Sequence, residues 1–209
     1  MILVGLTGSI GMGKSTVSMM FAKEGAAVWN ADDAVHRLYA KGGVAAPLIE
    51  AAFPSAVVDG AVDRTRLANL VLGAPDSLRR LEDIVHPLVA DDRQACIEKA
   101  IEEGVEILVL DIPLLFENNA AELFHVVVVV SASPETQRAR VLGRPGMDEE
   151  KFNAILAAQM PDEEKRRYAD YVINTDRPLE ETQAEVASVV EEIRRKFGVG
   201  DEGDGPWAH

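Results

Sequence analysis

Basic residues are in deficit: 21 Lys and Arg stand against 35 Asp and Glu, a net charge of −14. A field of that sign repels phosphate backbones and anionic membranes, so neither nucleic acid nor a membrane surface is an expected partner. Any polyphosphate ligand must then be met by cations gathered locally. Cysteine is scarce too. The single Cys96 cannot close an internal disulfide, and its surroundings, ACIEKAIEE, read as an amphipathic helix, so a small buried side chain in a reducing compartment is expected. No uncharged apolar run approaches the roughly 20 residues that cross a bilayer. The opening MILVGLTGSIGMGKST has no basic residue ahead of its short apolar run and passes straight into glycines, unlike a secretory leader. A cytoplasmic protein is the expectation. There is no internal repeat, and 209 residues suit one α/β domain carrying insertions.

Apolar runs rich in β-branched residues at 2–6, 26–29, 107–110, 126–130 and 171–173, each followed by a polar or glycine-bearing turn, predict five buried parallel strands. Helical patterns at 15–24, 134–142 and 179–197 alternate with them, as crossover connections require. The fold expected is α/β, a five-stranded parallel sheet with helices on both faces. The stretch between the second and third strands is too long for one crossover, and its spacing predicts helices at 63–72, 76–84 and 87–102, the last opened by Pro87 at a tolerated first-turn position. A second interruption, 143–161, holds Arg144, Pro145 and Gly146 and then a short helix at 149–159, and reads as a mobile lid. These limits predict a core of 1–31, 104–137 and 166–198, a helical subdomain of 32–103, a lid of 138–165, and a disordered tail of 199–209 that is rich in glycine and acids.

Gly8-Ser9-Ile10-Gly11-Met12-Gly13-Lys14-Ser15 completes the pattern G-x-x-x-x-G-K-[ST] between a strand and a helix, the signature of a phosphate-binding P-loop. Glycines allow backbone angles closed to other residues, so consecutive N–H groups converge on phosphate oxygens while the helix N-terminus adds partial positive charge. Gly8, Gly11, Met12, Gly13, Lys14, Ser15 and Thr16 are therefore the expected ATP-binding residues. Lys14 neutralises the β- and γ-phosphates, and the Ser15 hydroxyl is placed for Mg²⁺. Asp111 ends a buried strand with a carboxylate where ligands of parallel sheets gather, which makes it the second candidate for Mg²⁺; an Asp there also serves simply to start a turn. Asp32 and Asp33 follow the second strand. Either can serve an acceptor hydroxyl as a base, or cap the helix at 34–39. Arg138, Arg140 and Arg144, with Lys165, Arg166 and Arg167, supply the local positive charge a polyphosphate needs, or form a solvated, ion-paired helix face. His86, ahead of the 87–102 helix, and His36 and Arg37, close in sequence to Asp32, are candidates for acceptor binding or for capping and packing.

Taken together, LTGSIGMGKSTV, NADDAVHRLY, VDRTRLANLV, LEDIVHPLV, LDIPLLFE, QRARVLGR and AILAAQMPDEEKRRYADYVI with the following Asn174 resemble the dephospho-CoA kinases over residues 1 to about 197. The resemblance implies a P-loop NTPase fold of the nucleoside-monophosphate-kinase kind, with a helical acceptor subdomain and a lid. It also implies phosphorylation of the ribose 3′-hydroxyl of dephospho-CoA by ATP with Mg²⁺. Asp32 becomes the implied base; Arg138 and Arg144 act on phosphates; Pro113, Leu114, Leu115 and Glu117 line the acceptor side; Asn174 lies near adenine. Asn30 departs from the family, where Asp is usual, and an amide cannot take a proton, so the base role falls to Asp32 alone. A small-molecule kinase with another acceptor shares this fold. A GTPase-like switch lacks support because the guanine-reading Asn-Lys-x-Asp is missing, and a nucleic-acid-dependent ATPase lacks a basic stripe. A monomer is expected.

Overall fold

Every second valine of the run 126–130 faces one hydrophobic cluster and the intervening ones face another, which is how a strand with period 2 behaves when both faces of its sheet are covered. The computed structural model describes residues 1–199, so residues 200–209 of the expected tail lie outside the described residues. In chain order the elements are β1 (Ile2–Thr7), α1 (Lys14–Lys23), β2 (Ala27–Asn30), α2 (Ala31–Tyr39), α3 (Ala45–Ala52), β3 (Val57–Val58), β4 (Ala61–Val62), α4 (Arg64–Val71) and α5 (Pro75–Glu102). They continue with β5 (Ile107–Asp111), β6 (Val126–Ser131), α6 (Pro134–Leu142), α7 (Glu149–Ala157), α8 (Asp162–Arg167), β7 (Tyr171–Asn174) and α9 (Leu179–Phe197). The chain divides into two units, Met1–Val28 with the chain from Glu103 onward, and Trp29–Glu102.

The five-stranded sheet runs β2-β5-β1-β6-β7. β1 pairs in parallel with β5 (Leu6 opposite Asp111) and with β6 (Thr7 opposite Val129), and β6 pairs with β7 (Ser131 opposite Asn174). One face buries Val4, Leu6, Val128 and Val130 against Phe21 of α1 and Ile193 of α9. The other buries Val127 and Val129 against Leu115 and Phe116. The parallel register brings the carboxyl ends of β1, β5, β6 and β7 to one edge, where ligands of such sheets bind.

In the Trp29–Glu102 unit, Leu38, Ile49, Phe53, Leu67 and Val85 share a separate core. Two features differ from expectation. Asp59 and Gly60, at φ 53° and 79°, turn β3 into β4, the two-residue hairpin geometry that Asp-Gly favours; this signal in VVDGAV was not read. The expected helices 76–84 and 87–102 are one helix, α5, with Pro87 inside it. Leu81, Ile84, Val85, Leu88 and Val89 form a continuous apolar stripe on the unit's core, while Pro87 is exposed. A proline inside a helix costs ~3 kcal/mol, and packing of this stripe against α2, α3 and α4 offsets it, since tertiary burial supplies most helical stability.

Candidate active site

β1 runs directly into the loop 8–13, and the loop's glycines are required by what surrounds them. A Cβ at Gly8 would stand 2.6 Å from the Val130 carbonyl oxygen, and one at Gly11 would stand 2.5 Å from Val141 Cγ2. Gly11 and Gly13 have φ of 79° and 91°, a region that side chains other than glycine's strongly disfavour. Gly13 is the N-cap of α1 and no side chain caps that end; the Thr16 N–H turns back to the Gly13 carbonyl (3.0 Å), and the N–H groups of Lys14 and Ser15 begin the helix, the end of a helix at which anions bind. Ser15 is exposed and Thr16 half-buried on that turn.

The loop is held from outside. Both polar groups of Ile10 are engaged by glutamines: its N–H donates to Gln159 Oε1 (3.0 Å), and its carbonyl accepts from Gln137 Nε2 (2.8 Å). Thr175 Oγ1 donates to the Met12 carbonyl (2.7 Å). Arg140 then binds Thr175 through its hydroxyl (2.8 Å) and its carbonyl (2.7 Å), and reaches the Gly11 carbonyl at 3.4 Å. The Ala132 N–H points at Met12 Sδ (3.1 Å). Of the side chains that make these bonds, the sequence points to Met12 and Arg140; Gln137, Gln159 and Thr175 carry no signal by spacing.

Lys14 Nζ pairs with Asp111 Oδ1, and the Asp111 side chain is fully buried. The cation expected on the phosphates and the carboxylate expected on Mg²⁺ are thus already side by side at the sheet edge. Ser15 and Asp111 offer hydroxyl and carboxylate oxygens, the hard donors that Mg²⁺ takes. Among the described residues no group of three or more His, Cys, Asp or Glu side chains could hold a metal.

Beyond Asp111, the Pro113 carbonyl accepts from the Thr7 hydroxyl (3.1 Å) and from Lys165 Nζ (3.4 Å). Lys165 is fully buried and pairs with Glu117 Oε1 at 2.9 Å, and the Met160 N–H donates to the same oxygen (2.8 Å). Burial works to raise the Glu117 pKa, but the Lys165 and Met160 hydrogen bonds and the Lys165 charge outweigh it and hold the carboxyl below its usual range. Leu114 is exposed. Leu115 is fully buried with Phe116, Val127 and Val129, so its side chain packs the core and only its backbone is left for an acceptor.

The model for dephospho-CoA kinase (CoaE) matches residues 2–181. The chain belongs to the dephospho-CoA kinase family. It is 56% identical over 198 residues to the dephospho-CoA kinase of Mesorhizobium japonicum, with 95% of this chain and 100% of that protein covered. The crystal structure of TT1252 from Thermus thermophilus superposes with a TM-score of 0.76 at 35% identity, covering 92% of this chain and 97% of that one. Shikimate kinase from Acinetobacter baumannii, solved in complex with shikimate, superposes with a TM-score of 0.52 at 17% identity, covering 94% of this chain and 94% of that one, a likeness of fold alone.

The remaining dephospho-CoA kinase positions fall as follows. Arg138 pairs with Glu149 at the surface, and Arg144 is exposed just beyond α6. Of the basic run 165–167, only Lys165 is buried, and Arg167 pairs with Glu163 in solvent (2.5 Å). Asn174 ends β7, and its side-chain oxygen accepts the Asp176 N–H (2.9 Å). In the Trp29–Glu102 unit, Asn30 caps α2 by accepting from the N–H groups of Asp32 (2.8 Å) and Asp33 (3.0 Å). The cap is therefore Asn30, not Asp32 or Asp33, which leaves both carboxylates exposed in the first turn. Arg37 and the Trp29 indole N–H both donate to Asp92 Oδ1, at 2.6 and 2.7 Å. His36 is exposed, and so is His86, which lies within α5 rather than ahead of a helix.

Proposed function

We propose that the chain transfers the γ-phosphoryl group of ATP to the ribose 3′-hydroxyl of dephospho-CoA, giving ADP and coenzyme A in the final step of CoA synthesis. What supports this reading above all is an uncapped, glycine-shaped P-loop with Lys14 against the buried Asp111, in a chain of the dephospho-CoA kinase family. The N–H groups of Gly11 to Thr16 hold the phosphate chain, Lys14 follows the charge onto the β–γ bridge, and Asn174 borders the adenine. Ser15 and Asp111 would hold Mg²⁺, which would supply charge neutralisation at the phosphates when bound. Asp32 takes the proton of the 3′-hydroxyl as its oxygen forms the new bond to the γ-phosphorus and the bond from that phosphorus to the β–γ bridging oxygen breaks. His36, Arg37 and His86 bind the acceptor's anionic groups, with Pro113, Leu114, the Leu115 backbone and Glu117 on the acceptor side.

Residues 32–103 act as the acceptor subdomain and 138–165 as a lid, in which Arg138 exchanges Glu149 for phosphate and Arg144 joins it. Closure excludes water, so that the hydroxyl and not water is phosphorylated. The enzyme works as a cytoplasmic monomer on small molecules alone. Among the described residues no helix is long and apolar enough to cross a membrane. The test is ADP release with ATP and a panel of acceptors: dephospho-CoA supports turnover, and CoA, which already carries the 3′-phosphate, is inert. Turnover with another small-molecule acceptor and none with dephospho-CoA overturns the assignment.

A further inference from the structure

Lys165 is a lysine with no exposed side-chain surface in a run, DEEKRR, in which Glu163, Glu164, Arg166 and Arg167 face water. Burying a charge costs several kcal/mol per ion, and a buried pair is often no more stabilising than apolar residues of the same volume. Its neighbours suggest what the charge does. Lys165 Nζ meets Glu117 Oε1 and the Pro113 carbonyl, and the Pro113 carbonyl also receives Thr7 Oγ1. Thr7 is the residue before Gly8 of the P-loop; Pro113 is two residues after Asp111. The other Glu117 oxygen is buried with no partner, so this carboxylate depends on the Lys165 charge. The surrounding segment is tied down at three further points: Gln159 to Ile10, the Met160 N–H to Glu117, and Asp162 Oδ2 to the Ser131 hydroxyl at the end of β6 (2.6 Å).

We propose that Lys165 and Glu117 are positioning residues for phosphoryl transfer: the pair fixes the loop after β5 against the start of the P-loop, and so sets Asp111 relative to Lys14. The inference rests on the reaction proposed above. It also narrows the lid expected at 138–165: 159–165 is tied to the sheet edge and Arg140 of α6 to the P-loop, so movement falls on 143–158. A displacement of about 1 Å in such a site costs on the order of 100-fold in rate, whereas nucleotide affinity depends on the loop's own N–H groups.

The deciding variant is Lys165→Met/Glu117→Leu, which replaces both charges by apolar groups, with Lys165→Met, Glu117→Gln and Lys165→Arg beside it. For the double variant we expect Tm at or above that of wild type, because the desolvation cost is gone. We expect kcat lower by about 100-fold and KM for ATP within about threefold. Lys165→Met and Glu117→Gln should lose kcat by factors that do not multiply in the double variant, and Lys165→Arg should recover part of the rate. A folded double variant with wild-type kcat overturns the inference, as does one that fails to fold, which would make the pair a structural element. Wild-type enzyme that releases no ADP with dephospho-CoA sinks the proposed reaction and the inference with it, an outcome read before any variant is made.

Discussion

In the sheet unit, the candidate groups for phosphate are largely main-chain N–H groups of one loop, and side chains from distant elements hold that loop in shape: Gln137 and Arg140 from α6, Gln159 after α7, Thr175 after β7. In the Trp29–Glu102 unit, the candidate groups are side chains on exposed helical surface: Asp32, His36, Arg37 and His86. A site built from backbone tolerates few changes at Gly8, Gly11 and Gly13, where a close approach or a positive φ excludes a side chain. A site built from exposed side chains can be altered one group at a time without disturbing a core. The first arrangement suits a ligand common to many enzymes, the second an acceptor that distinguishes one enzyme from its relatives.

Substitutions should separate the two behaviours. Lys14→Ala is expected to have the largest effect, with turnover reduced by at least about 1,000-fold in a chain whose circular dichroism spectrum at 25 °C is still that of the folded protein, though with a lower Tm because the buried Asp111 loses its cation; near-normal turnover would break the assignment of the P-loop as the phosphate site. Asp32→Asn should lower kcat by roughly 100-fold or more and leave ATP binding by calorimetry intact, the signature of a group in the acceptor unit that acts on the acceptor alone. Arg140→Ala removes charged hydrogen bonds to Gly11 and Thr175 and should raise KM for ATP about tenfold, with a lower Tm, whereas Arg138→Ala, at an exposed pair, should leave Tm unchanged. Equal Tm losses in the two arginine variants would contradict the loop-bracing role given to Arg140.

The smallest expected effect concerns acid. Because the Glu117 pKa is held below its usual range in the folded chain, its stabilising contribution is fully present above the ordinary carboxylate pKa of the unfolded chain. It is lost as pH falls through the lowered folded value. Glu117→Gln should therefore flatten the decline of Tm at acid pH, which a thermal-melt series across that range measures.

The β-branched runs made the strands legible, since a strand buried on both faces needs little else, and the P-loop was legible because its chemistry constrains glycines at fixed spacing. The Asp59-Gly60 hairpin was equally written in the chain and went unread. Pro87 misled, because a local penalty says nothing about the apolar stripe that carries α5 past it. The arginines show a different limit. Arg138, Arg140 and Arg144 are alike in sequence, and only Thr175, 35 residues beyond Arg140, reveals which one braces the loop. Lys165, with Arg166 and Arg167, is in sequence either a cation for a polyphosphate or part of a solvated face, for the same reason: its partner Glu117 lies on another element, and no periodicity joins them.

Trp29 carries a practical consequence. Its indole shares one oxygen of Asp92 with Arg37, so any anion that draws Arg37 away alters the electric field at a natural fluorophore. With Trp207→Phe, removing the second of the chain's two tryptophans, emission wavelength becomes a label-free optical test of whether an anionic acceptor engages Arg37, recorded independently of catalysis.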